Sequence, residues 1–82
     1  MVFAKLRDWQ HRHDVRDVAL AKRAGMAHTT LGRAKRGKII LGVEKMIAIQ
    51  AATDGEITPN DWAEFYRVRN ERARDPDQGA HA

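Results

Sequence analysis

The chain has 82 residues and no cysteine, and its 15 lysines and arginines outnumber 11 acids to give a net charge of +4. That length allows one domain with a small core, which a second copy can help to stabilise, and the lack of cysteine excludes disulfides and thiolate metal sites, as suits a reducing cytoplasm. The start of the chain, Met1 to Asp8, lacks the apolar run of a secretory signal, and no segment reaches the roughly 20 apolar residues of a membrane span, so a soluble cytoplasmic protein without a membrane partner is expected.

In chain order, Phe3, Leu6 and Trp9 recur at helical spacing and predict a support helix from Val2 to about Arg12, with Lys5, Arg7, Asp8 and Gln10 toward water. His11-Arg12-His13-Asp14 interrupts the pattern, and either Asp14 or Asp17 is suited to cap a second helix that starts near Val15 or Asp17 and ends at Ala24. Gly25-Met26-Ala27 predicts a tight turn with Gly25 at positive φ, and His28 to about Arg36 predicts a third helix closed by Gly37. Ala21 and Ala24 let two helices cross closely, while Met26, Leu31 and Ala34 fill their junction; together these elements form a helix-turn-helix.

Lys38 to Gly42 reads as an apolar connection buried against the bundle, since a lone strand there has nothing to pair with. Val43, Met46, Ile47, Ile49 and Ala51 predict a central helix to about Thr53, stopped by Asp54-Gly55. In Thr58-Pro59-Asn60-Asp61 a capping hydroxyl, a proline in the first helical position and an acid three residues after the cap all mark one helix start. From there Trp62, Phe65, Tyr66 and Arg69 keep a helical repeat to about Arg72 or Arg74. The expected architecture is an all-α bundle of about five helices over residues 1–74 with a polar tail over 75–82, of which Gln78 to Ala82 is expected to be disordered.

The charge is unevenly spread. Between Val18 and Val43 lie Lys22, Arg23, Arg33, Lys35, Arg36 and Lys38 and no acid, while the rest of the chain is net negative, so the positive charge sits on the helix-turn-helix and predicts a nucleic-acid partner. On a helix from His28, burying Leu31 and Ala34 turns Thr29, Gly32, Arg33 and Arg36 outward with His28 at the flank. These five are the expected base-contacting residues: arginine can bridge the two acceptors of guanine, and Gly32 removes bulk at a cost of about 1 kcal/mol in helix propensity. Lys22, Arg23, Thr30, Lys35 and Lys38 are the expected phosphate contacts. Trp62, Phe65, Tyr66 and Val68 form the first candidate surface for a homodimer, and Val2, Phe3 and Leu6 the second. His11 and His13, two apart, fall on different sides of a helix and suggest no metal site. No glycine-rich phosphate loop, nucleophile elbow or helical zinc motif occurs, so no enzyme, cofactor or small-molecule ligand is expected.

The stretch from Leu20 to Thr53 resembles the Cro/CI-type helix-turn-helix regulators without a gap, and Gln50-Ala51-Ala52-Thr53-Asp54-Gly55-Glu56-Ile57-Thr58-Pro59-Asn60-Asp61-Trp62 looks like the ending of small Cro-like and YdaS-like proteins of phages and bacteria. The resemblance implies a lambda-repressor-like bundle, insertion of the His28 to Arg36 helix in the major groove, and binding as a dimer to a two-fold operator in the bacterial cytoplasm or nucleoid. Two positions depart from the family pattern. Ala27 stands where a capping Ser or Thr is usual, and Asp17 stands where a Gln or similar donor often touches phosphate; an acid there favours the helix start but repels DNA. The expected function is a sequence-specific duplex-DNA-binding transcriptional regulator, most simply a repressor. An activator or an autoregulating antitoxin shares that chemistry, and the alternative from another class is a module that binds polymerase, a toxin or another regulator through its C-terminal helix.

Overall fold

A computed structural model describes residues 2–73 and consists of five helices: α1 (Ala4–His13), α2 (Asp17–Ala24), α3 (His28–Lys35), α4 (Val43–Ala52) and α5 (Pro59–Ala73). The described residues contain no strand, and none of the described helices is long and apolar enough to cross a membrane. The expected polar tail, 75–82, lies outside the described residues.

The start of α1 is set by a tertiary hydrogen bond. Phe3 is its N-cap residue, and its N–H donates to the Lys35 carbonyl at 2.7 Å, so the chain is pinned to the end of α3 and the helix does not reach back to Val2 as expected. Neither Asp14 nor Asp17 caps α2. Asp14 takes a left-handed conformation, φ 53°, and closes α1, while the N-cap of α2 is Arg16, whose side chain makes no capping bond. Asp17 opens α2, where an acid complements the positive helix end, and its carboxylate is engaged by other side chains. Gly25 does adopt positive φ, 70°, and the N–H of Met26 returns to the Ala21 carbonyl at 2.9 Å, a closure of the Schellman type.

Leu6, Leu20, Leu31, Ile49 and Trp62, one from each helix, are fully buried and define a single core. Burying each such side chain contributes about 1.5–3 kcal/mol. The apolar connection after α3 is not a strand; it turns Leu41 into the core and leaves Ile40 exposed. Thr53 ends α4 with its hydroxyl, which donates to the Ile49 carbonyl at 2.8 Å and accepts from the Ile57 N–H at 3.1 Å, so a buried polar group links the two sides of the Asp54-Gly55 turn. α5 then begins where its sequence signals place it. The Asp61 N–H donates to the Thr58 hydroxyl at 3.2 Å, the Asp61 carboxylate accepts from the Thr58 N–H at 2.8 Å, and Lys5 of α1 pairs with that carboxylate at 2.8 Å.

The aromatic face of α5 points inward, which corrects the first candidate dimer surface. Trp62, Phe65 and Tyr66 are buried within the chain and Val68 is half-buried. Phe3 meets Trp62 edge-on at 4.6 Å between ring centroids and stacks on Phe65 at 4.9 Å. The second candidate surface is used in the same way, with Phe3 and Leu6 buried. The physical reason is volume: the junction of α1 and α5 is filled by these rings. The polar edge of α5 holds the segment after α3, because the Leu41 N–H donates to the Tyr66 hydroxyl at 3.0 Å and Arg69 donates to the Gly37 carbonyl.

Candidate nucleic-acid interface

The inward positions of α3 are Leu31 and Ala34, both fully buried, and this orientation exposes His28, Thr29, Arg33 and Arg36 on the opposite side with Gly32 half-buried between them. The five residues expected to contact bases therefore share one face. Lys22 and Arg23 are exposed in the last turn of α2, Lys38 is exposed beyond Gly37, and Thr30 is half-buried at one flank of α3. Among the described residues Lys22, Arg23, Arg33, Arg36 and Lys38 enter no ion pair. At the start of α3, Ala27 provides no side-chain cap, so the first-turn N–H groups are left to water or to an anion.

The far end of α3 is locked from several sides. The Phe3 N–H bonds the Lys35 carbonyl, the Gly37 N–H bonds the Ala34 carbonyl at 3.0 Å, the Lys38 N–H bonds the Arg33 carbonyl at 2.9 Å, and Arg69 takes the Gly37 carbonyl. Gly37 has φ 73°, and a Cβ there would lie 3.0 Å from the Arg69 side chain and 3.5 Å from Phe65. Only glycine meets both demands without strain.

Lys35, one of the expected phosphate contacts, is engaged within the chain. Its side chain is 13% exposed, and its Nζ lies 2.7 Å from the Asp17 carboxylate. Gln10 completes the cluster by donating to the same carboxylate at 2.9 Å and to the Val15 carbonyl at 3.0 Å. Burial pushes the Asp17 carboxyl up, and the hydrogen bonds from Lys35 and Gln10, with the charges of Lys35 and Arg36, more than reverse this and hold it below the usual carboxylate value. The partners are 18 positions apart, beyond the reach of any helical spacing. The one sequence signal was an acid immediately before the acid-free window.

The exposed face combines planar guanidinium forks, which match the two acceptors on a guanine edge, with an ammonium on Lys38 that suits a phosphate. Compared with known proteins, the chain matches no family model, no curated protein and no solved structure.

Proposed function

We propose that this protein is a sequence-specific double-stranded DNA-binding regulator, most simply a repressor that occupies a promoter or operator as a homodimer. The observation that carries the reading is the outward face of α3, where Thr29, Arg33 and Arg36 stand exposed on a helix whose other side is buried and whose far end is locked. Such a helix is short enough and rigid enough to enter a major groove as one body, with α2 crossing behind it. His28, Thr29, Gly32, Arg33 and Arg36 would read bases; Lys22, Arg23, Thr30 and Lys38 would meet phosphates. With the aromatic side chains of α5 in the core, an interaction module built on that helix has less surface to offer.

The test separates Arg33 from Lys38. Arg33→Ala is expected to cost about 1–3 kcal/mol on the preferred site and to relax preference at one position, so the ratio of specific to random-DNA binding falls. Lys38→Ala is expected to weaken both alike and to reduce the salt slope by about one unit. Measured across a salt series, an unchanged ratio for Arg33→Ala with a collapsed ratio for Lys38→Ala would show that α3 is not the reading helix.

A two-fold site requires a second copy, because one chain carries one reading helix. Ile40, Val43 and Ile47 are large apolar side chains left exposed, and Val43 and Ile47 stand one turn apart on α4. Ile47→Glu should therefore lower self-association in light scattering without changing helical content; an unaltered dimer would place the contact elsewhere.

A further inference from the structure

We infer that Asp17 acts as an internal counter-ion that withdraws Lys35 from phosphate contact and so lowers the sequence-independent affinity of the reading helix. The inference rests on the DNA-binding reading above and deepens it. Its geometric basis is the Asp17–Lys35 pair at 2.7 Å, which ties the first residue of α2 to the last residue of α3. Lys35 occupies the flank of α3 next to Arg36, so a free ammonium there would add a cation to the edge of the reading face. It is instead turned back toward α1, where Gln10 also holds the carboxylate from a buried position.

Asp17 reaches further than this one pair. Its second oxygen and a terminal nitrogen of Arg36 both border the space beside Gly32, lying 3.9 and 3.6 Å from where a Cβ on that glycine would stand. The carboxylate therefore faces two cations at the end of α3, Lys35 in its last turn and Arg36 at its C-cap, bonding the first directly and acting on the second through its field. A shallow cavity of about 530 Å³, lined by Arg7, His11, Arg16 and the Asp17–Lys35 pair among others, opens on the same corner of the molecule. An approaching phosphate would meet a carboxylate beside Lys35, and the two anions would compete for one ammonium.

The consequence follows from counter-ion release. Affinity for random duplex DNA, and its dependence on salt, scale with the number of cations that contact phosphate. Asp17→Asn removes the charge while its amide oxygen keeps an acceptor for Gln10. Lys35, with its side chain 13% exposed, would then have lost its counter-charge, and its four-carbon stem lets the ammonium swing outward to water or phosphate. Its gain is sequence-independent, since an ammonium on a flexible stem carries no base-reading geometry.

The experiment titrates the full chain with a random-sequence duplex over a salt series, monitored by fluorescence anisotropy. Asp17→Asn is expected to bind about three- to tenfold more tightly at low salt, with a salt slope steeper by about one unit. The charge-neutral double variant Asp17→Asn/Lys35→Gln is expected to return to the wild-type slope, and it keeps the test decisive if the single variant is too unstable to assay. A slope for Asp17→Asn equal to wild type, or a double variant whose slope is shallower by one unit, overturns the inference, the second result showing that Lys35 contacts phosphate in the wild-type complex. Wild-type protein that binds no duplex at any salt would fail earlier and sink the DNA-binding reading itself.

Discussion

The two sides of α3 obey opposite rules. Toward the bundle, Leu31 and Ala34 are buried, Lys35 is paired with Asp17, and the carbonyls of Lys35 and Gly37 are taken by Phe3 and Arg69. On the outward face, Thr29, Arg33 and Arg36 are exposed, and neither arginine enters an ion pair among the described residues. A reading surface needs groups whose hydrogen-bonding capacity is unspent, and such groups discriminate only when their backbone is held still. The satisfied side supplies that support. Here it comes from elements distant in sequence, the residues before α1 and the middle of α5.

The supporting side of the molecule is most vulnerable at Trp62, fully buried in the first turn of α5. Trp62→Ala should cost about 3–5 kcal/mol in denaturant unfolding, as expected for truncating a buried aromatic. Trp62→Phe should cost clearly less, because the buried indole N–H has no hydrogen-bond partner among the described residues, so its removal gives up none of their bonds. A Trp62→Ala loss below about 1 kcal/mol would mean that the α5 rings are not the support described here.

Two glycines sharpen the contrast on a smaller scale. At Gly37, on the locked side, alanine meets both a left-handed backbone and Arg69 at 3.0 Å, so Gly37→Ala should destabilise by about 1–2 kcal/mol. At Gly32 the nearest atoms to an added methyl are at 3.6 and 3.9 Å, which is ordinary contact. Gly32→Ala should therefore raise stability, by up to about 1 kcal/mol from helix propensity alone, and on the proposed docking of α3 it should weaken DNA binding by filling the space that faces the base edges. Thermal melts paired with binding isotherms check both; a Gly32→Ala protein that is more stable and binds DNA unchanged would show that the helix does not approach the bases at that point.

Much of the bundle was legible because its signals are local. The alternation of Leu31 and Ala34 against Arg33 and Arg36 orients α3 without reference to any other element, and Gly25 and Gly37 mark positive-φ positions found as such. Thr58, Pro59 and Asp61 mark the start of α5 in the same way, since a capping box and a proline act within one turn. Less was legible wherever a residue had two uses. Trp62, Phe65 and Tyr66 have the same pattern whether a helix packs on its own chain or on a second copy, and Asp14 and Asp17 both fit a cap that neither makes.

The sequence by itself determined which stretches are helical, where they turn and which residues face outward on α3, because periodicity, caps and left-handed glycines act over a few residues. The tertiary structure alone decided that the aromatics of α5 belong to the core, that Arg69 and Tyr66 hold the segment following α3, and that Lys35 is matched by Asp17. These depend on which surfaces meet when five helices close around one interior. A charge counted along the chain is free until folding places an opposite charge beside it, and burial makes that partnership worth keeping.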